Sequence, residues 1–169
     1  MKQPVQVADD QTTGKHFYAL HLDSLDQWPA TLARVAPSFG LLLACDADQV
    51  PTAVIASAVD KALASGAGYV VAWGPGCEEV HDTFDEAHVL MKLERPHLPV
   101  LITTWHADDS LDEALWYFVE VARLPEPSGA TDWLAVSVER PDWADQIGQR
   151  LANLASLRAI IHADHDELD

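Results

Sequence analysis

The chain has 169 residues, 49% hydrophobic and 22% charged, which suits one globular domain able to bury about 70% of its unfolded surface and excludes disorder, collagen or a disulfide scaffold. Ten Lys and Arg stand against 27 Asp and Glu, a formal net charge of -17, so nucleic acid and anionic membrane surfaces meet a repulsive field and are excluded as direct partners. Such a surface suits solubility, a divalent cation or a basic protein partner.

Residues 1–15 contain no apolar run that would serve as a signal sequence and are expected to form a flexible N-terminal segment. From residue 16 to 161 an apolar run, a turn signal and a segment of helical period recur about five times, which predicts a single α/β domain. The runs are Phe17–Leu22, Leu41–Ala44, Tyr69–Trp73, Val100–Trp105 and Trp133–Val138. The first is mixed in polarity and is expected nearer an edge. YVVAW, VLITTW and WLAVSV are nearly unbroken, as for parallel strands covered on both faces.

Helix punctuation falls between the runs. Asp26 with Pro29, and Asp48 with Pro51, have the spacing of an N-cap followed by a first-turn proline. Gly66 and Gly68 supply a stop after Lys61–Ser65. Ser110 and Glu113 have the form of a capping box. Pro141 opens a last helix in which Trp143, Ile147, Leu151 and Leu154 recur at helical spacing. The tail, residues 162–169, is polar and acidic and is expected to fray. Only two cysteines, Cys45 and Cys77, occur in a chain long enough to fold without staples. Together with the lack of a membrane span, this predicts a reducing, cytoplasmic setting.

The alternation predicts a three-layer α/β sandwich around a mostly parallel five-stranded sheet, flavodoxin-like or Rossmann-like, with ligands at the carboxyl edge of the strands. That edge collects His21, Asp23, Cys45, Asp46, Asp48, Cys77, Glu78, Glu79, His106, Asp108, Asp109, Glu139 and Arg140. Helix capping accounts for part of this set.

The most distinctive segment runs from Trp73 through Gly74-Pro75-Gly76 to Cys77 and on to His81 and His88. A thiol in a first helical turn feels the helix dipole, which favours thiolate, so Cys77 is the candidate nucleophile with His81 or His106 as base. His81 and His88 border the apolar face and fit structural roles as well. The segment has neither the G-x-G-x-x-G pattern nor a P-loop lysine, so no nucleotide cofactor is expected. Asp46 and Asp48 are the candidate carboxylate ligands of a divalent metal, the alternative to a cofactor-free protein. Cys45, Cys77, His81 and His106 suit Zn²⁺ by ligand type if the second and third strands are neighbours.

Two resemblances follow from these residues. Leu41–Asp48 resembles the strand and D-x-D start of the haloacid-dehalogenase-like phosphotransferases, which implies a nucleophilic Asp46 and Mg²⁺. It departs from them in lacking a following Gly-Thr and in falling on the second run. The wording W-G-P-G-C-E-E-V-H-D resembles a motif of an uncharacterised bacterial family known only as a domain of unknown function. That resemblance implies a bacterial cytoplasmic origin and singles out Trp73, Gly74, Cys77, His81, Asp82 and Asp85.

Trp73 and Trp105 close apolar runs and are expected to wall a pocket at the carboxyl edge. Trp116 and Tyr117 flank the core arc of the helix after Ser110 and are the candidate interface to a protein partner or a second copy. The sequence thus favours a protein-binding module. The alternative is a small hydrolase or transferase with a Cys/His or metal-carboxylate site.

Overall fold

A computed structural model of the chain describes residues 1–126 and 128–168. It is an α/β protein with a six-stranded, mostly parallel sheet and five helices. The strands are β1 (Val5–Asp10), β2 (Lys15–Leu22), β3 (Phe39–Ala44), β4 (Ala67–Trp73), β5 (Ile102–His106) and β6 (Asp132–Val138). The helices are α1 (Thr52–Ser65), α2 (Cys77–Glu94), α3 (Leu111–Trp116), α4 (Pro141–Ala152) and α5 (Leu154–Asp166). No helix among the described residues is long and apolar enough to cross a membrane.

Across the sheet the order is β1-β2-β6-β3-β4-β5. Among the described residues only the β1–β2 pair is antiparallel. The sixth strand, β1, lies within the N-terminal segment expected to be flexible: Val5 to Asp10 pair with β2, which satisfies their backbone along one side. The mixed run, β2, is second from the edge, next to β1, whereas the apolar run VLITTW, expected to be covered on both faces, supplies β5, an outer strand whose residues are half-buried or exposed except His106.

Alternate residues of each strand feed two cores, as the period of two requires. Leu41, Leu43, Val70 and Ala72 pack with Ile55 and Val59 of α1 and with Val80 and Phe84 of α2. On the other face Leu42, Tyr69, Val71 and Trp133 meet Leu115 of α3, Ile147 and Leu151 of α4, and Leu157 of α5. Gly40 permits the closest of these contacts, since a Cβ there would sit 2.1 Å from the Trp133 ring.

Local signals fared unevenly. Ser110 and Glu113 form the full capping box, Gly66 takes the left-handed C-cap conformation of α1, and Pro141 lies in the first turn of α4. Asp26, however, starts no α-helix: a single 3₁₀ turn spans Leu25–Gln27 and draws Leu25 into the core. Asp48 falls in another such turn, Ala47–Gln49, and Pro51 caps α1 from outside. The last helix breaks at Asn153, whose side chain accepts from Ser156 N and starts α5. α5 extends through the first residues of the acidic tail to Asp166, and Asp169 lies outside the described residues.

Candidate functional site

After β3 the chain passes to α1 on one face, and after β6 to α4 on the other. The crevice where the crossovers leave toward opposite faces, the place at which open α/β sheets bind ligands, therefore falls between Ala44–Asp46 and Val138–Arg140 at the carboxyl ends of β3 and β6. Glu139 has a φ of 64°, the one positive value outside glycine among the described residues. Its N–H donates to Leu22 O at 2.8 Å, while Arg140 N–H reaches Val138 O at 2.8 Å and closes a tight three-residue turn. Backbone strain of this kind concentrates at sites that the surroundings over-determine. Asp46 Oδ1 is buried with no hydrogen-bond partner. His21 lies beside this crevice on β2, its Nδ1 2.9 Å from Ser137 Oγ of β6.

The Gly-Pro-Gly turn joins two loops. Cys45 N–H donates to Trp73 O at 3.1 Å and Ala47 N–H to Pro75 O at 2.8 Å. A Cβ on Gly74 would sit 2.3 Å from Cys45 O, and one on Gly76 would sit 2.5 Å from Asp48 Oδ1. Both glycines have positive φ, 115° and 70°. They serve the close approach of the β3 and β4 loops.

The two thiols are free, Cys45 just past the end of β3 and Cys77 at the first residue of α2, each only 1% exposed. Burial, with Glu139 and Asp46 adding to it, pushes Cys45 up to about 12. Burial also raises Cys77, against backbone donors of His106 and Cys77 itself. Both therefore remain thiols at neutral pH, so a nucleophilic Cys77 lacks the exposed, depressed-pKa setting such chemistry uses.

The imidazoles proposed as its bases are engaged elsewhere. His81 Nδ1 lies 2.9 Å from Asp82 Oδ1 and Nε2 lies 3.5 Å from Asp85 Oδ2, with the ring packed on Trp105 at 4.5 Å between centroids. His106 Nδ1 bonds Asp109 Oδ2 at 2.6 Å and Nε2 lies 3.1 Å from Thr104 Oγ1. No group of three or more His, Cys, Asp or Glu among the described residues is arranged to hold a metal ion, the Cys45, Cys77, His81 and His106 set included.

Trp116 and Tyr117 are half-buried against the second core. Tyr117 bonds Tyr69 through the two hydroxyls at 2.7 Å, and its ring meets His106 in a tilted arrangement with centroids 4.6 Å apart. Trp73 is likewise committed, donating to Asp109 O at 2.8 Å and meeting Trp143 edge-on. Trp105 differs. It is 48% exposed because β5 is an outer strand. A cleft of about 290 Å³ lies at the opposite end of the sheet, near Leu63, Gly66, His88, Met91 and Arg95.

A family model described as Domain of unknown function (DUF7684) matches residues 17–154. The chain belongs to that family. The matched span runs from β2 to the first residue of α5, so it contains the crevice and β5 and leaves out β1. No curated protein and no solved structure matches the chain.

Sequence reasoning missed one buried charge of consequence. Lys15 is 4% exposed, and its Nζ donates to the carbonyls of Phe118, Val119 and Ala122 at 2.9, 2.8 and 2.8 Å. It also lies 3.8 Å from the Trp133 ring centroid. These carbonyls sit where the helix after α3 widens into a π-type turn over Tyr117–Val121 and ends. A polar N-terminal sequence carries no signal of such a role.

Proposed function

We propose that the chain is a protein-binding module that accepts an extended segment of a partner as an added strand along β5. The observation that carries this reading is the contrast between the two edges of the sheet. β1 carries two carboxylates, Asp9 and Asp10, and a register shift between Gln6 and Ala8, the devices by which natural edges are blunted. β5 has regular register with β4 from Ile102 to His106, contains no Lys, Asp, Glu or Pro, and leaves Trp105 half in solvent. Such an edge is a template for strand addition, in which main-chain hydrogen bonds give affinity and alternate side chains give specificity.

The helices on both faces support a Rossmann-like or flavodoxin-like reading of the sandwich, with β6 inserted between β2 and β3. A hydrolase or transferase reading has one observation in its favour, the unpartnered Asp46 Oδ1 in the crevice. Against it stand the buried thiols and the engaged imidazoles.

Selection of random decapeptides on the intact chain, followed by amide exchange of the bound complex, tests the reading. Recovered peptides should protect the amides of β5, and Trp105→Lys, which places a gatekeeping charge on the edge, should abolish recovery. Peptides that instead protect the crevice residues, or a selection that recovers none, overturn it.

A further inference from the structure

We infer that the segment received by β5 is basic, with Lys or Arg at alternate positions facing Trp105 and α2; this rests on the strand-addition reading above. A strand laid beside β5 sends successive side chains to opposite faces of the sheet. On the α2 side they meet Thr103 and Trp105. Asp85 is drawn against this surface by Thr103, whose hydroxyl donates to Asp85 Oδ1 at 2.6 Å. His81 lies between Asp82 and Asp85 and under the indole, so it holds two carboxylates beside one aromatic ring. Both carboxylates remain at least half exposed. An open indole face flanked by anions is a receptor for an ammonium or guanidinium group, through cation–π attraction and charge-assisted hydrogen bonds.

The other face asks for different side chains. A shallow groove of about 310 Å³ runs along the edge between Thr103, Thr104, Trp105, His106 and Tyr117, of which Thr104, His106 and Tyr117 belong to this face. The ring nitrogens of His106 and the hydroxyl of Tyr117 already have partners within the protein, so the groove offers contact area and few free polar groups. Uncharged side chains fit it. The expected ligand therefore alternates cationic and apolar residues.

Charge argues against a second copy of this chain as the occupant. Each copy has a net charge of -17 and would bring the same carboxylates of α2 to the junction. The cations at the far end of α2, Lys92 and the C-cap residue Arg95, come seven and ten residues after Asp85, so Lys92 lies about 10 Å away along the helix at 1.5 Å per residue and Arg95 farther still. The anionic stretch thus lies toward the carboxyl end of β5, where Asp108 and Asp109 extend it.

Three synthetic octapeptides distinguish the outcomes: alternating Lys-Val, Thr-Val and Glu-Val, each titrated into the intact protein with amide exchange read residue by residue. The Lys-Val peptide should protect Ile102–His106 and bind about tenfold tighter than Thr-Val, with the advantage shrinking at high salt. Trp105→Ala should weaken Lys-Val binding about tenfold, the size of a partly desolvated cation–π contact. The double variant Asp82→Asn and Asp85→Asn should remove most of the preference for Lys-Val and leave Thr-Val binding unchanged. Equal protection by all three peptides overturns the basic ligand class while strand addition stands. Protection of β5 by none of them overturns strand addition itself. A concentration-dependent dimer that protects β5 without peptide overturns the assignment to a basic partner.

Discussion

Replacing Lys15 by Met tests whether one buried ammonium holds the end of the π-type turn. Methionine has similar length and fills the space, so the change removes the donors with little change in packing. Ala122 O keeps Arg123 Nη1 at 2.9 Å as a second donor, whereas Phe118 O and Val119 O lose the donor that reaches them. A buried polar group stripped of its partner costs about 1–3 kcal/mol, and the buried cation–π contact with Trp133 adds about 2. Relief of the ammonium's desolvation offsets part of this, which leaves a net loss of about 2–4 kcal/mol. In a chain of this length that lowers the melting temperature by roughly 5–15 °C.

The same substitution has a pH signature. Burial, with Arg123 adding and Glu120 and Asp10 opposing, lowers Lys15 to about 7 in the folded protein, against 10.5 for the free side chain. Between those values the unfolded chain binds a proton that the folded chain has released, so wild-type stability rises with pH by at most about 1.4 kcal/mol per unit. Lys15→Met lacks this contribution, so the gap between the two proteins widens above pH 7. Denaturant unfolding followed by circular dichroism on both sides of pH 7 measures it. A variant as stable as wild type below pH 7 would refute the reasoning, since the two carbonyls would then lose nothing with their donor.

Gly74→Ala should destabilise the fold by more than about 2 kcal/mol in urea unfolding, because the positive φ disfavours any side chain and the new Cβ meets Cys45 O rather than a movable group. Glu139→Gly should do the opposite and stabilise by up to about 1 kcal/mol, since glycine adopts this φ without steric penalty; an unchanged or lower midpoint would mean the carboxylate makes compensating contacts. Acid should unfold the protein through Asp10 and Asp112. Burial pushes both carboxyls up, but hydrogen bonds from Thr13 and Arg158 on Asp10, and from Arg150 and Gln146 on Asp112, outweigh it and hold both below the ordinary range. Their contribution is thus present above the unfolded value near 3.8 and lost as pH falls through the lower folded values. Asp112→Asn should flatten that acid limb.

The features legible in the sequence were those fixed by neighbours along the chain. Ser110 and Glu113 satisfy each other's backbone within one helical turn, and Gly66 ends α1 where the apolar period stops. The apolar runs located five of the strands because a covered strand needs an apolar face wherever it sits in the sheet. Order across the sheet is set by crossovers that span tens of residues, so the apolar VLITTW gave no notice of an outer position. β1 was hidden for a related reason: an antiparallel edge strand with one solvated side reads as polar chain, and its register shift breaks the period of two. Nothing along the chain near Lys15 marks it for burial, because its partners lie more than a hundred residues away at Phe118 to Ala122, as Arg158 does from Asp10.

The carboxyl rim carries most of the residues whose chemistry drew attention, and the fold has already used much of that chemistry. His106 ties Asp109 to Thr104, Trp73 holds the Asp109 carbonyl, and the glycines around Pro75 let the β3 loop close on the β4 loop. Each bond satisfied inside the protein is one fewer available to a ligand, and the thiols are out of reach of solvent. Along β5 the balance reverses, since its outer backbone faces no neighbouring strand and Trp105 has one ring face covered by His81 and nearly half its surface in water. A lateral edge with unspent hydrogen bonds and exposed aromatic area offers a partner more free energy than a rim whose polar groups are mutually satisfied. On the strand-addition reading, recognition belongs to the side of the sheet and not to its end, where the sequence concentrates its polar residues.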